Sequence, residues 1–332
     1  MHNLTHPIRI EMPTGLTVGP VNAYLFTAPE PILVDCGIRL DAAWTALEDG
    51  LAKNGLSVAD LSRVIITHPH VDHYGLAGRI AAESDAEIWI SDVGASWLLS
   101  SAEMWQQRFV FYREHFLAHL GLPESTIDDM SAGMQEMATK FYEISPASVV
   151  TFHLEGVLQL GGMSWQVIHV PGHTYRQTCF YQPETRQLLS ADHLLAVTPT
   201  PVVERTDHGH ERIPGLPQFL QSLDLVEQLE VDQVYPGHGR PFTNHRDVIK
   251  RQRERIVKRK AECLDLVKQG HDTIPALLDI MYAHYPPQFR AAGLWMLVGY
   301  LDLLQADGLI VEETIDNIWH YCLKKEAANG EC

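Results

Sequence analysis

The sequence carries Thr67-His68-Pro69-His70-Val71-Asp72-His73 immediately after the apolar run Val64-Ile65-Ile66. The run predicts a strand, and side chains two positions apart in an extended segment lie on the same side. We therefore expect His68 and His70 to bind one cation together. Asp72 and His73 come at the turn into a predicted helix, Tyr74 to Glu83, and reach a second position nearby. Imidazole and carboxylate ligands together favour zinc or a similar ion.

Three further candidate ligands each follow an apolar run. They are His173 after Val167-Ile168-His169-Val170, Asp192 after Leu188-Leu189-Ser190-Ala191, and His238 after Val234-Tyr235. A strand that ends in a small residue and then a polar side chain is how α/β-type proteins build sites on a rigid scaffold. The repeated pattern predicts that these side chains belong to the same site as the first cluster.

These motifs, with Asp35 in Leu33-Val34-Asp35-Cys36-Gly37, make the sequence similar to the metallo-β-lactamase superfamily from about Asn22 to His238. The resemblance implies an α+β fold, an αββα sandwich of two mixed sheets with helices outside and a dinuclear site at one sheet edge. The ligand sets that it implies are His68, His70 and His173 for the first metal, Asp72, His73 and His238 for the second, and Asp192 bridging both. Asp35 and His193 would support the ligands without binding metal.

The chemistry implied by this resemblance is hydrolysis by a hydroxide that bridges two divalent ions. Zinc is the expected metal, with manganese or iron as alternatives. Ions roughly 3.5–4 Å apart deprotonate a water at neutral pH and polarise the oxygen of the substrate's carbonyl or phosphoryl group. Asp72 is a candidate catalytic residue, as a proton shuttle to the leaving group. Tyr175 and Arg176, just after His173, are candidate substrate contacts.

Three functions remain open for such a ligand set. A ligand set with a bridging aspartate resembles that of glyoxalase II, lactonases and metal-dependent nucleases. Secreted zinc β-lactamases lack this bridging residue. We therefore predict hydrolysis of a small-molecule thioester, lactone or other carboxylic ester. The first alternative is a metal-dependent endonuclease or phosphodiesterase. The second is an iron-dependent thiol or persulfide dioxygenase, whose mononuclear 2-His-1-carboxylate site would not need all seven ligands.

Composition and charge bear on the partners. The 332 residues carry 25 Lys and Arg against 42 Asp and Glu, a formal net charge of −17. This charge argues against non-specific binding to nucleic acid or to an anionic membrane. No secretory signal and no apolar run of about 18 residues is visible. The five cysteines are odd in number and widely spaced, which is typical of reduced thiols, so the predicted location is the cytoplasm.

The chain divides into two predicted domains, a catalytic domain over residues 1–245 and a C-terminal region over residues 246–332. The second begins with a predicted basic helix, since residues 246–260 hold eight basic and two acidic side chains. A helix after Thr273, another from Gln288 to Gln305 and a strand from Leu309 resemble a winged helix. Residues 261–332 hold eleven acidic and four basic residues. We therefore expect this region to pack against the catalytic domain, to form a wall of the cleft or to make a homodimer contact, and not to bind nucleic acid.

A helical insert is predicted between His73 and His173, over about residues 92–150. It contains an apolar stripe at helical spacing, formed by Met130, Met134, Met137 and Phe141. Such a stripe ordinarily packs helices together. Its position between two metal motifs adds the hypothesis that one edge forms an apolar lid over the metals. Methionine and aromatic surfaces adapt to variable apolar groups, which would suit an acyl chain.

Overall fold

The computed structural model describes residues 6–197, 204–205, 211–286 and 290–324. Its strands in chain order are β1 (Ile8–Met12), β2 (Val21–Phe26), β3 (Ile32–Val34), β4 (Arg63–Ile66), β5 (Glu87–Ser91), β6 (Val149–Phe152), β7 (Val157–Leu160), β8 (Met163–His169), β9 (Thr178–Gln182), β10 (Gln187–Ala191), β11 (Glu204–Arg205), β12 (Arg212–Ile213), β13 (Gln233–Pro236), β14 (Ile310–Ile315) and β15 (Ile318–Leu323). Its α-helices are α1 (Asp41–Ala52), α2 (Val71–Tyr74), α3 (Ala77–Glu83), α4 (Ala95–Leu99), α5 (Ser101–Val110), α6 (Glu124–Met137), α7 (Gly215–Glu227), α8 (His245–Lys268), α9 (Ile274–Met281) and α10 (Arg290–Ala306).

Two mixed sheets form the centre of the fold. The first has the order β1-β2-β3-β4-β5-β6, antiparallel from β1 to β3 and parallel from β3 to β6. The second has the order β13-β10-β9-β8-β7, with β10 and β13 parallel and the other pairs antiparallel. Helices connect the parallel strands of the first sheet, because a parallel pair needs a long crossover and not a tight turn.

The two sheets face each other across an apolar layer, and helices cover their outer faces. Along β2, Tyr24 and Phe26 enter the layer between the sheets, while Leu25 joins the outer cluster around α1. This alternation is the period of two that a strand imposes. Phe26 meets Trp165 of the second sheet edge to face, with ring centroids 5.8 Å apart. The α+β class and the αββα sandwich predicted from the sequence are confirmed.

The helix predicted from Tyr74 to Glu83 is wrong in its start. The chain forms two helices here, α2 from Val71 and α3 from Ala77, so Asp72 and His73 lie inside a helical turn. The break has a local cause, because the backbone N–H of Leu76 donates to the carbonyl of Gly37 at 3.1 Å. That hydrogen bond takes the place of the one that would have continued α2 into α3.

The insert is mainly helical, as predicted, and it packs on both outer layers. It contains α4, α5, α6 and a π-helical segment, Phe111–Phe116. The methionine stripe is divided between two clusters, since Met130 and Met134 pack beside the second sheet and Met137 beside the first. Phe141 lies after the end of α6. The stripe therefore joins the insert to the rest of the molecule as well as joining its own helices.

The C-terminal region consists of α8, α9, α10 and the hairpin β14–β15. Helix α9 begins after Thr273, as predicted, but the threonine side chain makes no capping hydrogen bond. The helix predicted from Gln288 runs from Arg290, and Gln288 itself lies outside the described residues. These elements share one apolar cluster with α7 and with the outer face of the second sheet. The winged-helix character and the division at residues 245 and 246 stay predictions.

Helix α8 carries the basic stretch, and most of its cations have partners. Arg246 pairs with Glu230, Arg253 with Asp224 and Glu227, Arg259 with Glu262, Lys260 with Asp307, and Lys250 with Glu254. Exposed pairs of this kind contribute little to stability but neutralise the local charge. In the described ranges, no helix has both the length and the apolar character needed to cross a membrane.

Candidate metal centre

Three histidine nitrogens meet at the carboxyl end of β4. The Nδ1 atom of His70 lies 3.0 Å from Nε2 of His68 and 2.9 Å from Nε2 of His173. His68 and His70 come from the loop between β4 and α2, whereas His173 comes from the loop after β8. Three ring nitrogens at these separations can hold one cation. The predicted first ligand set is therefore brought together from both sheets.

A second group lies beside the first and combines Asp72, His73 and His238. The Oδ2 atom of Asp72 is 3.3 Å from Nε2 of His238 and 4.0 Å from Nε2 of His73. Helix α2 presents Asp72 and His73, and the turn after β13 presents His238. All three side chains are buried. The predicted second ligand set is brought together as well.

Asp192 stands between the two groups. Its Oδ1 atom lies 3.5 Å from Nε2 of His73, and its Oδ2 atom lies 3.5 Å from Nε2 of His173 and 3.4 Å from Nε2 of His238. One carboxylate thus reaches a member of each group. This is the position that a bridging ligand requires.

Asp35 aligns one histidine of each group. Its carboxylate accepts from Nδ1 of His73 at 2.8 Å, and it accepts from the backbone N–H and the hydroxyl of Thr67 at 2.9 Å each. Since the Thr67 proton goes to Asp35, the Thr67 oxygen accepts from Nδ1 of His68 at 3.0 Å. His238 is fixed similarly, because its Nδ1 donates to the carbonyl of Pro20 at 2.8 Å. The Nε2 atoms of all three histidines are left facing the site.

The unpaired atoms of the site fit metal ions. Among the described residues, Nε2 of His73, Nε2 of His238 and Oδ1 of Asp192 are buried without a hydrogen-bond partner. Buried polar atoms without partners are rare in folded proteins. Gly237 supplies the space, because a Cβ atom at that position would lie 2.1 Å from Oδ1 of Asp192. Nitrogen and carboxylate donors of this kind match zinc, manganese or iron.

The carboxylates make the second group a site for positive charge. Burial lowers the pKa of His238, but Asp192 and Asp72 outweigh it and raise the pKa to about 10. Burial raises the pKa of Asp72, yet His73 and His238 lower it to about 2. In the first group, burial and neighbouring histidines hold the pKa of His68 and His70 well below the usual value. Both rings are thus neutral at pH 7, the form that binds metal.

The other predicted site residues have local partners. Arg176 is buried, and its guanidinium lies 3.2 Å from Oε1 of Glu204. Glu204 also accepts from the Thr174 hydroxyl at 2.8 Å and from the backbone N–H of Tyr175 at 2.5 Å. These contacts brace the loop that carries His173. Substrate contact by Tyr175 and Arg176 stays a prediction.

His193 is fully buried and packs against the ring of Phe219 at a centroid distance of 5.3 Å. Burial, together with the charge of His173, lowers its pKa to about 3. Within the described part of the chain neither of its ring nitrogens has a hydrogen-bond partner. His193 is therefore a neutral ring behind the ligands, and the supporting role predicted for it stays a prediction.

Sequence reasoning missed Thr67, Gly237 and Glu204 as parts of the site. Thr67 was next to a recognised ligand, so its position offered a signal. Gly237 matters because of a close approach to Asp192, and Glu204 because of a contact with a loop 28 residues earlier in the chain. Such contacts between distant segments leave no pattern in the local sequence.

Comparison with known proteins agrees with this geometry. Residues 16–238 match the family model described as the metallo-beta-lactamase superfamily. The chain is 26% identical over 324 residues to "Probable metallo-hydrolase YqjP" of Bacillus subtilis, covering 94% of each chain. It is 23% identical over 237 residues to "Atrochrysone carboxyl ACP thioesterase" of Aspergillus fumigatus, covering 66% of this chain and 71% of that one.

A similar solved structure is that of a metallo-beta-lactamase family protein from Thermus thermophilus. It superposes with a TM-score of 0.77 at 24% identity, covering 96% of this chain and 98% of the other. This likeness concerns the fold and includes the C-terminal region. Because the family model covers well over half of the sequence, the chain belongs to the metallo-β-lactamase superfamily and is a metallo-hydrolase.

Proposed function

We propose that the protein is a dinuclear hydrolase of a thioester, lactone or other carboxylic ester, with zinc as its metal. The observation that carries this proposal is the position of Asp192, whose carboxylate reaches His173 of the first ligand group and His73 and His238 of the second. A carboxylate between two ligand groups can serve two cations at once. A single cation would leave one of these groups unused.

The chain's own residues determine how such a centre would work. His68, His70 and His173 would hold one ion, Asp72, His73 and His238 the other, and Asp192 both. Two bound divalent ions supply a hydroxide nucleophile at neutral pH and withdraw charge from the carbonyl oxygen under attack. Asp35 and Thr67 keep the rings of His68 and His73 in one orientation, so that no reorganisation is needed at the moment of reaction.

Asp72 is the proposed proton carrier. One of its oxygens, Oδ2, contacts Nε2 of His238. The pKa of Asp72 is lowered to about 2, because His73 and His238 outweigh the effect of burial. The carboxylate is therefore ionised at neutral pH and can accept a proton. We expect it to take the proton that an attacking hydroxide would release and to pass it to the leaving thiolate or alkoxide, as a general acid does.

The insert supports an acyl substrate. A cavity of about 330 Å³ lies between α5 and α6, within the range of small-molecule sites. Its apolar lining includes Trp105, Phe109, Met134 and Phe141. Trp105 also donates to the hydroxyl of Tyr74, the residue after His73, at 3.3 Å. The relative from Aspergillus fumigatus is named as a thioesterase of an acyl carrier protein, which agrees with a thioester.

The alternatives have less support. Phosphodiester cleavage would draw on the basic helix α8, whose cations are largely paired with carboxylates. A mononuclear iron oxygenase would need only part of the ligand set that the fold assembles. A cytoplasmic location and a homodimer stay predictions from the sequence.

Metal content and turnover test the proposal together. We expect two zinc ions per chain after zinc loading, and hydrolysis of butyryl thioester or butyrolactone without cleavage of a phosphodiester. His68→Ala should lose turnover by at least about 10³-fold, as expected for disruption of a catalytic constellation. His284→Ala, which removes an exposed histidine, is the matched control. One metal per chain, or phosphodiester cleavage alone, would refute the proposal.

A further inference from the structure

Arg108 lies over three aromatic rings in the insert. Its guanidinium carbon is 5.5 Å from the ring centroid of Trp97, 5.5 Å from that of Trp105 and 5.4 Å from that of Tyr112. Trp97 and Tyr112 are buried, and Arg108 is half-buried. Cation–π contacts of this kind hold a guanidinium in place while its N–H groups stay available at the edges.

This aromatic platform is hydrogen-bonded to helix α2, which carries the proposed ligands Asp72 and His73. Trp105 donates its indole N–H to the hydroxyl of Tyr74, which directly follows His73 in helix α2. Arg108 therefore lies on a ring that is hydrogen-bonded to the helix of Asp72 and His73.

Arg108 has no carboxylate partner among the described residues, in contrast to the arginine five residues further along. Arg113 pairs with Glu124 and Asp128 at 2.9 Å each. Glu204 is a nearby acidic side chain, since it acts electrostatically on Tyr112. Its carboxylate is already paired with the guanidinium of Arg176. A half-buried guanidinium that has no carboxylate partner in the described part of the chain can bind an anion that arrives with the substrate.

We propose that Arg108 binds a carboxylate or phosphate group of the substrate, so that the preferred ester or thioester is negatively charged. This inference rests on the proposed hydrolase function and names its substrate class. It also changes the interpretation of the insert, which would contribute a fixed cation to the site in addition to the apolar lining of the cavity.

Three thioesters test whether the negative charge bound by Arg108 lies on the acyl side or on the thiol side of the substrate. S-butyryl-N-acetylcysteamine is neutral, S-succinyl-N-acetylcysteamine carries a carboxylate on the acyl side, and butyryl-coenzyme A carries phosphates on the thiol side. With zinc-loaded protein, Arg108→Gln should raise KM for one of the charged substrates by about 10- to 100-fold, the usual effect of a charged hydrogen bond. KM for the neutral substrate should stay unchanged, which also shows that the variant is folded.

Two further variants sharpen the test. Arg108→Lys keeps the charge but loses the flat guanidinium, so KM should lie between those of the wild type and Arg108→Gln. Arg113→Gln removes a neighbouring insert arginine with its own acidic partners, and all three KM values should stay unchanged. If Arg108→Gln affects all three substrates equally, or none of them, the proposal is wrong.

A binding measurement separates this inference from the hydrolase proposal. Succinate or inorganic phosphate is titrated into chelator-treated protein at constant ionic strength, and the fluorescence of Trp97 and Trp105 beside Arg108 is followed. The wild type should give a saturable change that Arg108→Gln abolishes. If no thioester is hydrolysed but this change is seen, the hydrolase proposal fails and anion binding by Arg108 stands. If the wild type gives no change with either anion, Arg108 is not an anion site.

Discussion

Asp35 has a left-handed backbone conformation, with φ of 59°, and accepts hydrogen bonds that align a ligand of each group. Few residues other than glycine, asparagine and aspartate adopt that conformation readily. The residue at position 35 must therefore both tolerate a left-handed backbone conformation and accept these hydrogen bonds. Asn keeps the conformation but has only one acceptor oxygen, so it separates the two requirements.

We predict that Asp35→Asn lowers zinc affinity by about 10- to 100-fold, the usual effect of losing a partner that orients a metal ligand. The protein should stay folded, with a loss of about 1–3 kcal/mol in the free energy of unfolding. Competition with a chromophoric chelator measures the affinity. Asp60→Asn removes an exposed capping carboxylate and should leave it unchanged. Equal affinity of Asp35→Asn and wild type would contradict the role given to Asp35.

Gly237 gives a second prediction at this scale. In Gly237→Ala the new Cβ atom would lie 2.1 Å from Oδ1 of Asp192, so the carboxylate must move. We expect loss of at least one metal per chain and of turnover, measured by elemental analysis and thioester hydrolysis. Gly239→Ala is the control, because its Cβ meets no atom within 4 Å. Its positive φ should cost about 1–2 kcal/mol of stability without loss of metal.

The sequence made the seven proposed ligands recognisable, because their residue types and their positions after strands form a local pattern. Thr67, Gly237 and Arg108 could not be found in the same way. Their importance depends on distances to other segments, such as the 3.0 Å from Thr67 to His68 or the aromatic rings around Arg108. A local sequence pattern shows which residue types could bind a metal or a substrate. Whether they do so depends on the residues that lie next to them in the folded structure.

At the scale of elements, the end of the insert docks closely on the helices that carry the second ligand group. The backbone N–H of Tyr142 donates to the carbonyl of Gly75 at 2.9 Å, and that of Arg39 donates to the carbonyl of Lys140 at 3.0 Å. Gly78 of α3 allows the approach, since a Cβ there would lie 2.2 Å from the carbonyl oxygen of Glu143. Backbone packs directly against backbone at this junction.

We therefore predict that Gly78→Ala lowers the free energy of unfolding by about 1–3 kcal/mol, because neither backbone can yield without strain. Gly133→Ala is the matched control in α6, where a Cβ meets no atom within 4 Å. It should raise stability by about 0.5–1 kcal/mol through helix propensity alone. Urea unfolding measures both. Equal effects of the two substitutions would show that the docking is not tight.

The elements themselves were partly predictable. The strands before each ligand and the helical nature of the insert followed from apolar runs and periodicity. The break between α2 and α3 could not be predicted in this way. It depends on the hydrogen bond from the N–H of Leu76 to the carbonyl of Gly37, which lies in the loop after β3. The methionine stripe was recognised, but its division between two clusters depends on where each sheet lies.

For the whole molecule, the C-terminal helices and the catalytic fold share one core. Phe116 of the insert meets Trp295 of α10 at 5.6 Å and Trp319 of β15 at 5.8 Å. The apolar cluster beside the second sheet runs on through α7, α8, α9 and α10. The domain division predicted from the motifs and the basic helix took no account of this packing, because shared burial is not visible in a sequence.

We predict that the full chain unfolds in a single transition, since a common core couples its parts. Far-ultraviolet circular dichroism and tryptophan fluorescence should give the same urea midpoint. Trp89 in strand β5 of the first sheet and Trp319 in the hairpin report on separate regions, so Trp319→Phe and Trp89→Phe variants allow each signal to be assigned. Two separate midpoints would favour independent domains.

Zinc should stabilise this unit as a whole. At a free concentration 100 times the dissociation constant, one site adds about 2.7 kcal/mol to the free energy of unfolding. We expect the melting temperature of chelator-treated protein to rise on zinc addition, and His68→Ala to reduce the rise. An unchanged melting temperature in the wild type would contradict a metal site built from both sheets.

The three-histidine group joins side chains 103 residues apart in the chain, and the Asn22 side chain reaches the carbonyl of Pro236 across 214 residues. During synthesis, the first histidines leave the ribosome long before the last ligand is made. A nascent or truncated chain thus lacks the complete centre, because part of each ligand group is still to be made. Both ions would then bind only after the chain has folded, and newly made enzyme would be inactive until that point.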